Sequence, residues 1–142
     1  MNIADLNPDV VLAGLLNNRV EVQTSARTGY NIRCYADGKQ PNKGVADEFL
    51  SIIWNGAARS RTQEGNCYIG DLALTIFCKT QADNTVKTQR IRQILGQIQK
   101  LASGVSVDGF FFHVDPQQVI TSTYTDSTGY SRTTVNVEWR AK

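Results

Sequence analysis

The strongest constraint on the fold is the order of elements in the last third of the chain, where an amphipathic helix precedes three strand-like runs. The helix pattern covers roughly residues 85–102, and its apolar side chains recur at the i, i+3, i+4 and i+7 spacing of one packed helix face: Ile91, Ile94, Leu95, Ile98 and Leu101. The last run, Thr133 to Arg140, alternates, with Val135, Val137 and Trp139 on one side. These patterns predict a helix packed on a sheet.

Length and composition limit the chain to one globular domain. Its 142 residues are the usual size of a single domain, and 41% are hydrophobic and 20% charged. No apolar run approaches the roughly 18 residues that span a bilayer, and the N-terminus lacks the pattern of a secretory signal. We therefore expect one domain over residues 1–142 and no membrane partner.

The N-terminal part predicts a short helix followed by two strands. Asn7-Pro8-Asp9 is a helix start, since an Asn side chain can accept from a free N–H and Pro suits the first helical position. The helix is expected over about 8–17. Alternating residues then predict strands at 19–24 and 30–35.

The middle of the chain predicts strands separated by exposed loops. Polar, glycine-containing stretches at about 37–45 and 57–66 predict two mobile loops. Residues 46–56 fit a helical stripe but are rich in β-branched and aromatic residues, so we favour a strand and keep the helix as the alternative. The run Cys67 to Lys79 has two largely apolar faces, which predicts a central strand covered on both sides.

The C-terminal strands complete an α+β prediction. A strand is expected over 105–114, and a hairpin is expected from 119–125 and 130–140. Gly104 marks the end of the long helix. The expected fold is an antiparallel, at most mixed, sheet with one long and one short helix packed on it.

Residues that commonly carry chemistry are few and scattered. His113 is the only histidine and lies in an aromatic strand, where a lone histidine is more often structural than catalytic. Cys34, Cys67 and Cys78 lack regular spacing and are expected to be buried hydrophobes. We expect no catalytic residue, no metal and no cofactor. A small enzyme that pairs His113 with a cysteine is the alternative.

Positive charge is concentrated on the long helix. The net charge is only +2, yet residues 86–100 contain four cations and no acidic residue: Lys87, Arg90, Arg92 and Lys100. These four residues are a candidate contact face for phosphates or an acidic partner. The alternative is that they form an ordinary solvated helix face. Arg59 and Arg61 are candidate contacts in the second loop.

The element order resembles that of the tail terminator, or tail completion, proteins of long-tailed bacteriophages. The resemblance begins at about Asn7 and is carried by the strand Tyr68 to Phe77, the amphipathic helix after it and the closing run Val135 to Trp139. It implies an α+β subunit of a ring, usually a hexamer, that is not an enzyme. Such a ring caps the tail tube, stops its polymerisation and offers a docking surface to the head connector.

The resemblance also implies the partners. They are further copies of the chain, the tail tube protein and the head connector or neck protein, with DNA only as passing cargo in the lumen. The protein would be assembled in the host cytoplasm and reside in the virion, at the tail or neck. The alternatives are another neck, head-completion or minor tail protein and, more remotely, a nucleic-acid-binding module that uses residues 86–100.

Overall fold

The computed structural model describes residues 6–22, 30–36, 48–59, 68–79, 88–121 and 129–141. Two helices and seven strands lie in these ranges. In chain order they are α1 (Pro8–Leu16), β1 (Val20–Val22), β2 (Tyr30–Tyr35), β3 (Glu48–Arg59), β4 (Tyr68–Lys79), α2 (Thr88–Ala102), β5 (Val105–Val107), β6 (Phe110–Thr121) and β7 (Tyr130–Ala141). The α+β class expected from the sequence is confirmed.

The described strands form one mixed sheet in the order β1-β2-β3-β4-β7-β6-β5. Neighbouring strands are antiparallel except β2 and β3, which are parallel, with Cys34 opposite Leu50. The centre of the sheet is β4 against β7, which are paired without interruption from Tyr68 opposite Ala141 to Lys79 opposite Tyr130.

Both helices contribute to the same hydrophobic core, on one face of the sheet. α1 contacts α2, β2 and β3, whereas α2 contacts strands from β1 at one edge to β6 near the other. The sheet therefore curls around the helix layer. Trp139 is fully buried in this core and packs edge to face with Trp54 at 6.0 Å and with Phe110 at 5.7 Å between ring centroids.

The alternation predicted for the two central strands sets which side chains meet the helices. Val135, Val137 and Trp139 of β7 are fully buried, which confirms the predicted face. On β4, Leu72, Leu74 and Ile76 are also fully buried in the core. The expected cover on both faces of β4 is wrong for much of the strand, because Asp71 is exposed and Ala73 and Thr75 are half-buried.

α1 begins at Pro8 and ends at Leu16. The Asn7 side chain makes no capping hydrogen bond, so that part of the prediction is wrong; the Asn7 carbonyl instead accepts from the Val11 N–H at 3.1 Å. At the other end, Oδ1 of Asn17 accepts from the Cys34 N–H at 3.1 Å. Asn18 has φ 60°, and its N–H donates to the Ile32 carbonyl. The helix is thereby attached to β2.

The ambiguous region around residues 46–56 is a strand from Glu48 onwards. Its β-branched and aromatic content prevails over the helical spacing because β4 supplies a long antiparallel partner. A register shift lies between Trp54 and Ala57, and β3 continues to Arg59. The second predicted loop therefore cannot begin at Ala57. Its remaining residues, and the predicted loop 37–45, lie outside the described ranges.

The predicted single strand at 105–114 is in fact a hairpin. Asp108 (φ 50°) and Gly109 (φ 84°) form a two-residue turn between Val107 and Phe110, which face each other across β5 and β6. Positive φ at both turn positions is the type I′ geometry that Asp-Gly favours. β6 then runs to Thr121 with a register shift after Asp115, so the strand predicted from residue 119 is the end of β6.

α2 ends as predicted. Gly104 has φ 73°, a conformation that glycine adopts without steric cost, and its N–H donates to the Phe112 carbonyl at 2.9 Å. Ile91, Ile94 and Ile98 of the predicted stripe are buried, and Leu95 and Leu101 are half-buried. The predicted residues before Thr88 lie outside the described part of the chain.

Candidate functional site

The outer side of α2 forms a shallow groove of about 430 Å³, called the α2 groove below. It is lined by six residues: Glu21, Arg92, Gln93, Gly96, Gln97 and Lys100. Arg92, Gly96 and Lys100 follow one another at successive turns, and all three are exposed. At 1.5 Å per residue the two cations are about 12 Å apart along the helix axis.

A glutamine side chain joins α2 to strand β1 at one wall of the groove. Nε2 of Gln97 donates to the Glu21 carbonyl, and Oε1 of Gln97 accepts from the Glu21 N–H. Both backbone groups of Glu21 therefore point towards α2 rather than towards β2. This double hydrogen bond fixes the position of Glu21 beside the helix.

Arg90 does not share the exposed position of Arg92 and Lys100. Nη1 of Arg90 lies 3.2 Å from Oε1 of Glu48, and the two side chains are 16% and 2% exposed. The pair joins the N-terminal part of α2 to the start of β3. Arg90 is thus a member of a largely buried ion pair, and its charge is already balanced within the fold.

The side chains of the other three candidate contact residues are not described by the structure. Lys87 and Arg61 lie outside the described ranges. Arg59 is the last residue of β3, and only its backbone is described. Of the six cations singled out in the sequence, the structure brings Arg92 and Lys100 together on one exposed surface.

The opposite side of the sheet, called the open sheet face below, carries an aromatic cluster at one end. Phe49 of β3 and Phe77 of β4 stack with centroids 4.5 Å apart and planes at 7°. Tyr130 packs edge to face on both rings, and the Arg132 guanidinium lies 5.1 Å from the centre of the Phe77 ring. The three rings are buried, so their faces are not available to a ligand.

Further along the open sheet face, polar side chains pair with each other across strands. Nδ2 of Asn136 donates to Oδ1 of Asp71 at 3.0 Å, and the hydroxyls of Thr75 and Thr134 are 3.2 Å apart. Two large apolar side chains remain in solvent on this face, Ile53 at 50% and Phe111 at 40% exposure. The sequence run Phe110-Phe111-Phe112 predicts apolar groups on both faces of its strand, one of them left for a neighbouring subunit, whereas sequence patterning did not single out Ile53.

Among the described residues, the candidate nucleophiles and metal ligands do not form a cluster. His113 is exposed, and its Nδ1 lies 3.4 Å from the Ser103 hydroxyl. Cys34 and Cys78 are buried thiols, and burial raises the pKa of the Cys34 thiol to about 12, which keeps it protonated at neutral pH. Cys67 lies outside the described ranges. Among the described residues, no group of three His, Cys, Asp or Glu side chains could hold a metal ion.

No protein-family model matches this chain, and no curated protein matches its sequence. Among the described helices, neither is long and apolar enough to cross a bilayer. Two surfaces of the described residues are candidate contact sites, the α2 groove on the helix layer and the open sheet face behind it.

Proposed function

We propose that this protein is a structural, ring-forming tail terminator of a long-tailed bacteriophage. In this role it caps the tail tube, stops tube polymerisation and provides the surface on which the head or neck connector docks. The observation that carries the proposal is the open sheet face with its exposed Ile53 and Phe111. The element order, a short helix, strands, a long helix and closing antiparallel strands, supports it as well.

Large exposed apolar patches mark contacts between subunits, whereas Ile53 and Phe111 are two single side chains that lie three strands apart, so a contact that covers both must span that width of the sheet. Ile53 lies opposite Ala73 on β4, and Phe111 lies opposite Arg140 on β7, so both project from the face that lacks α1 and α2. The two side chains are 50% and 40% exposed, so burial of the remaining area of each would contribute about 1 kcal/mol to a contact, roughly half of the value for a fully exposed side chain. A ring requires two different patches that meet head to tail, and the open sheet face supplies one of them.

In this proposal the ring also has a partner at each end and a central lumen. The ring, expected to be a hexamer, contacts the tail tube protein on one side and the connector on the other, and DNA passes through its lumen. A lumen that lets DNA slide must not bind phosphates, so we place Arg92 and Lys100 away from it. The protein then acts without catalysis or cofactor, is assembled in the host cytoplasm and stays in the virion.

The test combines light scattering and negative-stain images, recorded with and without tail tubes. We expect rings of the wild-type protein, and monomers when Ile53 and Phe111 are both replaced by Thr, which preserves the β-propensity of the strands. Val10→Thr is the matched control, because Val10 is 49% exposed but lies on α1. Monomers of the wild-type protein under both conditions would end the ring proposal.

A genetic experiment tests the terminator role itself. Phages that lack the protein should produce tubes of uncontrolled length, and the wild-type chain, but not the double Thr variant, should restore a defined length. Images of particles with a labelled chain then give its location. A label at the neck or the head vertex, with tube length unchanged in its absence, would favour a neck, head-completion or minor tail protein instead.

A further inference from the structure

The α2 groove contains a glycine that the fold itself does not require. Gly96 lies inside α2 and is exposed, and a Cβ added there would meet nothing within 4 Å. Glycine in a helix interior costs about 1 kcal/mol relative to alanine. No close internal contact compensates for that cost. The missing side chain instead leaves the middle of the groove open, one helical turn from each exposed cation.

The two cations beside Gly96 are both exposed. No ion pair joins Arg92 or Lys100 to another described residue, in contrast to Arg90 with its partner Glu48. The groove therefore has a positive charge at each end and a gap between them. This arrangement is complementary to an elongated ligand that carries negative charges about 12 Å apart.

Two glutamines beside the groove, Gln93 and Gln97, show how the backbone of such a ligand can be bound. Gln97 already binds the N–H and carbonyl of a β-strand residue, Glu21, through its amide group. Gln93 lies one turn earlier on the same side of α2, is exposed and lines the groove. Its amide can form the same pair of hydrogen bonds with the backbone of a second extended segment.

We propose that the α2 groove binds an extended acidic segment of a partner protein. An extended chain rises about 3.3 Å per residue, so carboxylates four residues apart lie about 13 Å apart and on one side of the segment. They reach Arg92 and Lys100, while the backbone runs along α2, passes over Gly96 and pairs with Gln93. This binding mode does not depend on the ring or on the terminator role.

The lining favours a protein segment over a nucleic acid. Duplex DNA carries one charge per about 1.7 Å of its axis, so two cations about 12 Å apart match few of its phosphates. The groove also offers the Gln93 amide, which can pair with the N–H and carbonyl of a peptide, whereas a phosphate backbone has no N–H to donate to it. Within the described part of the chain, no aromatic side chain lines the groove to stack on a base.

Fluorescence anisotropy of the full chain tests the proposal with two labelled probes, a peptide with glutamate at every fourth residue and a DNA duplex. We expect the peptide to bind the wild-type protein, and Arg92→Ala with Lys100→Ala to weaken it about tenfold, the equivalent of about 1.4 kcal/mol. Gly96→Trp should weaken it similarly by filling the groove. Urea unfolding of each variant checks that the fold is retained.

Two matched controls distinguish an effect on the groove from a general effect of lost positive charge or added side-chain volume. Arg33→Ala with Lys79→Ala removes the same charge from exposed positions on the sheet, and Gly14→Trp adds the same bulk at an exposed glycine of α1 with open space around it. Both should leave peptide binding within about twofold. The proposal is overturned by an unbound peptide, by equal weakening in the controls, or by tighter binding of the duplex.

Discussion

Replacing Arg90 with Ala removes one partner of the ion pair that joins α2 to β3. The Glu48 side chain is 2% exposed, so the substitution leaves a carboxylate buried without its nearest cation. Breaking a buried pair in this way typically costs about 3–5 kcal/mol. Arg90 itself is 16% exposed and Glu48 makes a further interaction, so we expect a loss of about 2–3 kcal/mol.

The loss is measurable by urea and by thermal unfolding. The urea midpoint should fall with an unchanged slope, and the melting temperature should fall by about 6–10 °C in a chain of this size. Arg92→Ala is the control, because it removes the same side chain from the same helix at an exposed position. It should change the unfolding free energy by less than about 0.5 kcal/mol.

The stabilities of Arg90→Ala and Arg92→Ala together show whether the ion pair stabilises the fold. If Arg90→Ala and Arg92→Ala are equally stable, the contact between Arg90 and Glu48 contributes nothing to the folded state. A double-mutant cycle with Glu48→Ala then measures the coupling directly and should give more than about 1 kcal/mol. The result also matters for binding studies, since loss of binding in any Arg90 variant would be confounded by loss of stability.

Three further predictions concern single residues. In urea unfolding, Gly96→Ala should raise the unfolding free energy by about 0.5–1 kcal/mol. Gly104→Ala should lower it, because Gly104 has a positive φ. Equal changes in the unfolding free energy of the two variants would contradict this difference in backbone conformation. Cys34 should react with iodoacetamide at pH 8 far more slowly in the native protein than in urea, as mass spectrometry of its peptide would show. Because burial raises the Cys34 thiol pKa from 9.0 to about 12, its contribution to stability is complete below pH 9 and should be lost as the pH rises towards 12, and a flat alkaline profile would contradict this. Trp139→Ala should cost about 3–5 kcal/mol in the same unfolding assay, since Trp139 is fully buried; a loss below 1 kcal/mol would show that the core collapses around the gap.

Local periodicity predicted the parts of the fold that long, regular segments define. The apolar stripe of α2 and the alternation of β7 each repeat often enough to identify both the element and its buried side. The parallel pairing of β2 with β3 was not visible, because it depends on the path of the chain between two strands. The hairpin at Asp108-Gly109 was visible in principle, since Asp-Gly between apolar runs is the usual signal of a type I′ turn.

Sequence spacing likewise predicted only part of the candidate sites. At 100° per residue, Lys100 and Arg92 lie about 160° and 120° from the centre of the α2 stripe, so their exposure follows from spacing. Arg90 lies only about 80° away, at the border, and its position was decided by Glu48, which is 42 positions away in the sequence. The exposure of Ile53 could not be predicted, because β3 is apolar on both sides and only the helix layer determines which side is covered.

The contact between Gln97 and Glu21 also limits how copies of this protein can join. β1 and β5 are the two edges of the sheet, and an edge recruits further strands through its unpaired N–H and carbonyl groups. At Glu21 those groups are already occupied by Gln97, so the β1 edge offers no template there. A strand that added to the β1 edge at Glu21 would first have to displace the Gln97 amide. A second copy that docks at this point of the sheet would therefore have to do so through side chains.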